Sequence, residues 1–105
     1  MKYVKLCKTD LLSDSPIKQC YIEGHEILVI KIEKKYFCLS ARCTHAGAPL
    51  LYSEIKEGVL VCPWHSSRFK IKNGEVLQGP ADKPLETYPH KIKNGYIFVK
   101  LGAGR

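Results

Sequence analysis

Cys43-Thr44-His45-Ala46-Gly47-Ala48-Pro49-Leu50 and Cys62-Pro63-Trp64-His65-Ser66-Ser67-Arg68-Phe69 are the two stretches around which this sequence is organised. Each offers one thiol and one imidazole, and each is bounded by residues that make tight turns. Sixteen residues, Ala46 to Val61, separate the two pairs. Thiolate and neutral imidazole are the usual ligands of zinc and of iron–sulfur clusters. A structural zinc site draws its pairs from Cys-x-x-Cys and His-x(3–5)-His spacings. Here each loop is mixed, Cys-x-His in the first and Cys-x-x-His in the second. A mixed pair suits a binuclear centre in which each loop reaches both metal atoms. Zinc, and a coincidental scatter of Cys and His, remain the competing readings of the spacing alone.

Outward from these loops, short apolar runs are punctuated by turn residues, the pattern of an all-β chain. Tyr36-Phe37-Cys38-Leu39 reads as a strand leading into the first loop, and Val59-Leu60-Val61 as a strand delivering Cys62. Upstream, Lys2 to Cys7 and Ile17 to Ile22 read as strands, separated by a loop over Asp10 to Pro16. Ile27 to Glu33 has the clearest alternation, with Leu28, Ile30 and Ile32 on one face. Pro49 to Glu57 has room for a single helical turn, which Pro49 is placed to start and Gly58 to end. Asn73-Gly74 and Asn94-Gly95 predict two hairpins, joining Phe69–Ile71 to Glu75–Leu77 and His90–Ile92 to Tyr96–Val99, because both residues of such a pair tolerate positive φ. Gln78 to Pro84 is too rich in Pro and Gly for regular structure. Gly102 to Arg105 reads as a frayed tail. The sum is a small antiparallel barrel or sandwich.

With 105 residues the chain has the length of one domain, and 45% hydrophobic residues is ordinary for a folded one. No apolar run approaches a membrane span, and the first residues lack a signal-peptide h-region. Five cysteines, an odd number, then argue for reduced thiols or metal ligands, and the expected compartment is the cytoplasm. Cys7, Cys20 and Cys38 read as buried small hydrophobes, and His25 and His90 as structural or surface histidines. The formal charge of +7 is spread along the chain in no block longer than two like residues. That argues against nucleic acid and leaves an acidic protein partner, or a merely solvated surface. Arg68, Lys70 and Lys72 stand where such a partner would dock near the second loop.

The motifs Cys43-x-His45-x-Gly47-x-x-Leu50 and Cys62-Pro63-Trp64-His65-x-x-x-Phe69 resemble the two ligand boxes of Rieske proteins. Gly79-Pro80-Ala81 is similar to the proline-containing third loop of that family. The resemblance covers most of the chain and implies a single Rieske domain over 1–105, with the cluster-binding part at about 41–81. It implies one [2Fe–2S] cluster, with Cys43 and Cys62 on one iron and His45 and His65 on the other. Two ferric ions, two sulfides and two thiolates sum to zero formal charge, so such a centre accepts an electron more readily than an all-cysteine one. Gly47, Ala48, Trp64, Ser66, Ser67, Phe69 and Pro80 would surround it.

The resemblance also places the chain within the family. Respiratory members carry two further cysteines that staple the loops; the corresponding places here hold Ala48 and Trp64. They also carry a tyrosine where Phe69 stands, and Phe69 has no hydroxyl to donate to sulfur. Both departures imply a low potential, about −150 mV, because fewer hydrogen bonds stabilise the reduced cluster. Ser67 could restore one donor, and Ser66, in a place often held by glycine, would be strained at positive φ. The implied function is that of a soluble, monomeric ferredoxin passing single electrons from a reductase to a terminal oxygenase, with no membrane or nucleic-acid partner and no catalysis of its own. A small subunit of a larger reductase, such as nitrite reductase, and a redox sensor are the alternatives.

Overall fold

The computed structural model describes residues 3–44, 47–63, 66–79, 81 and 83–101. Strand β3 (His25–Ile32) stands at the middle of the fold, with β2 (Ile17–Ile22) and β4 (Lys35–Ser40) antiparallel on either side; β1 (Tyr3–Lys8) precedes them. The alternation of β3 divides its side chains between two cores. Leu28 and Ile30 join Leu39, Leu50, Leu60 and Phe69 on one side, while Ile27 and Val29 join Leu12, Tyr88, Ile97 and Val99 on the other. All four β3 residues are fully buried. Each such burial is worth about 1.5–3 kcal/mol, enough to fix this strand's register.

Two further sheets cover the two faces. β5 (Glu54–Lys56), β6 (Val59–Val61), β7 (Arg68–Lys70) and β8 (Val76–Gln78) form one meander. β9 (His90–Lys93) and β10 (Tyr96–Lys100) complete the other, in the order β1-β10-β9. A register slip between Lys5 and Cys7 in β1 lets both Leu6 and Cys7 pack on the second core. The segment before β9 joins β4 to this sheet: the Ser40 amide donates to the Glu86 carbonyl, the Tyr88 amide to the Cys38 carbonyl and the Lys100 amide to the Pro89 carbonyl, each at 2.9 Å. The β2-β3-β4 sheet therefore lies between the other two. The antiparallel barrel-like arrangement expected from the sequence is what forms, and no α-helix occurs among the described residues.

Several local expectations change. The span from Pro49 to Glu57 does hold a single helical turn begun at Pro49, a 3-10 turn over Leu50–Tyr52, but the turn ends at Ser53 and gives way to β5, and Glu57-Gly58 is a hairpin turn with φ of 51° and 77°. Ile55, between exposed Glu54 and Lys56, packs on the first core and draws the segment into the sheet. The loop over Asp10 to Pro16 contains part of a 3-10 turn, Thr9–Leu12, that buries Leu12. Asn94-Gly95 is the expected two-residue turn, with both φ positive. Asn73-Gly74 is not. Only Gly74 has positive φ there, its amide donates to the Lys70 carbonyl at 2.7 Å, and the Asn73 side chain accepts from the Glu75 amide at 3.0 Å. The strands flanking it are accordingly displaced by one residue in each direction, to Arg68–Lys70 and Val76–Gln78. A Cβ at Gly74 would fall on the Leu85 carbonyl oxygen, so this turn requires glycine for space as well as for φ. Lys2 and the tail Gly102 to Arg105 lie outside the described residues.

Candidate metal centre

The first loop leaves β4 through Ala41 and the second leaves β6 directly, so each begins at the end of a strand anchored in the first core. Their backbones are closed by the same pair of hydrogen bonds. In the first, the Gly47 amide donates to the Cys43 carbonyl at 2.9 Å, and the Cys43 amide donates to the Ala48 carbonyl at 2.9 Å. In the second, the Ser66 amide donates to the Cys62 carbonyl at 3.1 Å, and the Cys62 amide donates to the Ser67 carbonyl at 2.8 Å. The residue four places after each cysteine is left-handed in both, Gly47 with φ 68° and Ser66 with φ 60°. For Gly47 the requirement is conformational alone, since a Cβ would meet nothing within 4 Å. Ser66 does carry a Cβ in that conformation, which costs roughly 1–2 kcal/mol.

This repetition puts Cys43 and Cys62 in equivalent places, and both are buried in the same apolar cluster with Ala48, Leu60, Phe69 and Ala81. Among the described residues Ser67 is the one buried polar residue, at 0% exposure, and its hydroxyl oxygen accepts the Ala81 amide at 3.0 Å. Accepting that bond leaves the Ser67 proton to be donated elsewhere. His45, Trp64, His65 and Pro80 lie outside the described residues. Of the eleven residues named from the sequence, the remaining seven, Cys43, Gly47, Ala48, Cys62, Ser66, Ser67 and Phe69, fall in these two loops and at the start of β7.

Three further residues brace the site and were not found in the sequence. Arg42 donates from Nη1 to the Gly47 carbonyl at 3.0 Å, and from Nε and Nη2 to the two carboxylate oxygens of Glu26 at 2.8 and 3.3 Å. The guanidinium holds the Glu26 carboxyl below the usual range, and the carboxylate raises Arg42 in return. The Thr44 hydroxyl donates to the Lys83 carbonyl at 2.7 Å. The Glu26–Arg42 pair was open to detection from the β3–β4 hairpin, whose register sets Ile27 against Ser40 and so brings the next residues together. Nothing in the sequence pairs Thr44 with Lys83.

The other thiols and imidazoles are elsewhere. Cys7, Cys20 and Cys38 gather in or against the second core, as expected of small hydrophobes. Burial raises the Cys38 pKa to about 12, and interaction with Cys20, with burial, pushes Cys7 up as well. His25 Nδ1 lies 3.3 Å from the Tyr88 hydroxyl, edge-on to its ring. His90, half-buried at the start of β9, has its pKa lowered by burial.

The two thiols fit one iron of an iron–sulfur cluster: they are buried at equivalent positions, and the apolar lining keeps water from them. Comparison with known proteins agrees. The family model of the Rieske [2Fe–2S] domain matches residues 2–89. The ferredoxin component of the p-cumate 2,3-dioxygenase system of Pseudomonas putida is 31% identical over 102 residues, spanning 95% of this chain and 86% of that protein. The 3-phenylpropionate/cinnamic acid dioxygenase ferredoxin subunit of Photorhabdus laumondii is also 31% identical over 102 residues, spanning 96% of each. Among solved structures, the Sphingomonas yanoikuyae B1 ferredoxin superposes with a TM-score of 0.86 at 25% identity, covering 94% of this chain and 98% of its own.

Proposed function

This chain belongs to the Rieske [2Fe–2S] domain family, and on that premise we propose that it is a one-electron carrier working between a reductase and a terminal oxygenase, as a component of a multi-protein oxidoreductase system and not as a catalyst. The observation that carries the reading is the pair of like-built loops that buries Cys43 and Cys62 in one core. Cys43 and Cys62 would hold one iron as thiolates, and His45 and His65 the other as neutral imidazoles. When bound, the cluster supplies a one-electron couple with little net charge in its oxidised form. The chain works as one unit over 1–105, with the cluster-binding part at about 41–81, in the cytoplasm.

The residues around the site have separable tasks. Phe69, Ala48 and Leu60 exclude water, which leaves the two thiolates to be stabilised by metal and by loop dipoles. Ser67 holds the segment ending at Ala81 against the second loop and keeps a proton to donate. Arg42 and Thr44 fix the first loop, the one to the Gly47 carbonyl and the other to the Lys83 carbonyl. No helix among the described residues is long and apolar enough to cross a membrane. The ferredoxin components named above serve dioxygenase systems, which supports an oxygenase as the electron acceptor. A redox titration followed by EPR tests the reading: a Rieske-type reduced signal of low average g, titrating near the low end of the family's range, is expected. A colourless protein that binds only zinc overturns it.

A further inference from the structure

The lysines, thinly spread along the chain, gather in space. β1 and the β9–β10 hairpin come from opposite ends of the sequence, and antiparallel pairing sets Lys5 opposite Phe98, Lys8 opposite Tyr96, and Tyr3 opposite Lys100. On the other side of β10, Lys91 pairs with Phe98 and Lys93 with Tyr96. Paired residues share a face, so five lysines and three aromatic rings occupy one side of the sheet while Val4, Ile97 and Val99 fill the core beneath. None of the three strands contains an aspartate or glutamate. Neither ion pair found among the described residues, Asp14–Lys18 or Glu26–Arg42, involves these lysines. This corrects the expectation that the positive charge is dispersed.

The rings hold the ammonium groups in place. Lys5 Nζ lies 4.2 Å from the Tyr96 ring centre and Lys91 Nζ 4.6 Å from that of Tyr3, with Lys8 and Lys100 behind them at 5.9 and 5.8 Å. Such an array pre-positions cations that lack an anion. Single-stranded nucleic acid would need open ring faces on which bases stack, and over Tyr3 and Tyr96 those faces are taken by ammonium groups. Carboxylates need no ring face. We propose that the outward face of the β1-β10-β9 sheet docks an acidic face of a protein partner. Its inward side packs on the second core, whereas Cys43 and Cys62 lie in the first. The inference does not depend on which residues hold the cluster.

The test uses the isotope-labelled holoprotein titrated with poly-L-glutamate, with oligothymidylate and phosphatidylglycerol vesicles as parallel arms. Amide shifts over residues 3–8 and 90–100, weakened by salt, are expected. Lys5→Gln/Lys91→Gln/Lys93→Gln should weaken poly-L-glutamate binding about tenfold, and a charge-matched Lys34→Gln/Lys35→Gln/Lys56→Gln less than about twofold. The cluster's visible spectrum should be unchanged in both. If the triple variant loses its melting transition, Lys91→Gln/Lys93→Gln on the edge strand makes the same comparison. Equal weakening by both sets, shifts confined to another face, or tighter binding of oligothymidylate or vesicles than of poly-L-glutamate overturns the proposal.

Discussion

The Ser67 hydroxyl oxygen and the Ala81 amide, 14 residues apart in sequence, meet at 3.0 Å in a buried site. From the first loop the Thr44 hydroxyl reaches the Lys83 carbonyl at 2.7 Å. One irregular segment is thus clipped to both ligand loops by hydroxyl groups. These clips supply a noncovalent tie between the loops through that segment.

Ser67→Ala leaves the Ala81 amide buried without its acceptor, at a cost of about 1–3 kcal/mol. It also removes a buried hydroxyl proton from the second ligand loop. The expected result is a lower thermal midpoint together with a midpoint potential lower by roughly 65–130 mV, the worth of one hydrogen bond to a charged acceptor in a one-electron couple. Thr44→Val should lower the thermal midpoint and hasten cluster loss, with a smaller change in potential. A Ser67→Ala potential equal to that of the parent protein would show that the hydroxyl does not donate toward the site.

Gly47 and Ser66 occupy matching left-handed positions with φ of 68° and 60°, so exchanging their side chains should have opposite effects. Gly47→Ala incurs roughly 1–2 kcal/mol of conformational cost, partly offset by the stiffer unfolded chain. Ser66→Gly relieves the same strain and should be neutral to stabilising by about 1 kcal/mol. Denaturant unfolding of both variants checks the sign, and destabilisation by Ser66→Gly would mean that the serine side chain makes a compensating bond.

The Glu26–Arg42 pair gives a signed pH dependence. The folded carboxyl titrates below its unfolded value, so its contribution is complete above the unfolded pKa and is lost as pH falls through the folded one. Arg42→Gln should flatten that acid-side loss, and the effect should be small because both side chains are substantially exposed. His90 adds a second window. Burial holds its folded pKa below the unfolded value, so stability should decline as pH falls below about 6.5, where the unfolded state takes up the proton first. His90→Gln should remove this decline in urea titrations between pH 7 and 5.

Legibility in the sequence followed the length scale of the interaction. The alternation of Ile27 to Ile32 was readable because period two needs only neighbours, but it did not show that β3 is buried on both faces, since Lys31 and Glu33 mark a polar side only at its end. β5 escaped because three residues are too few to show a period, and Pro49 with Gly58 imitates the limits of a helix. Glu23-Gly24 and Glu57-Gly58 both turn with two positive φ angles, a conformation that glutamate signals far less strongly than asparagine. Asn73-Gly74 carried the strong signal and makes a different turn, because Leu85 packs against it from 11 residues away. The two cysteines were found by motif; Arg42 and Thr44, which act through the backbone of other segments, have no motif to carry them.

Replacing the imidazoles tests the proposed ligand set most directly. A thiolate adds a negative charge where a neutral imidazole stood, so His45→Cys and His65→Cys should each lower the midpoint potential if a cluster still assembles. Retention of two iron and two sulfide per chain, measured chemically, separates a tuned cluster from a lost one. Serine puts a harder hydroxyl where Cys43 and Cys62 offer a soft thiolate in a buried apolar site, so Cys43→Ser or Cys62→Ser should reduce cluster content and not merely shift its potential. A potential unchanged by both histidine substitutions, with iron content intact, would remove His45 and His65 from the ligand set.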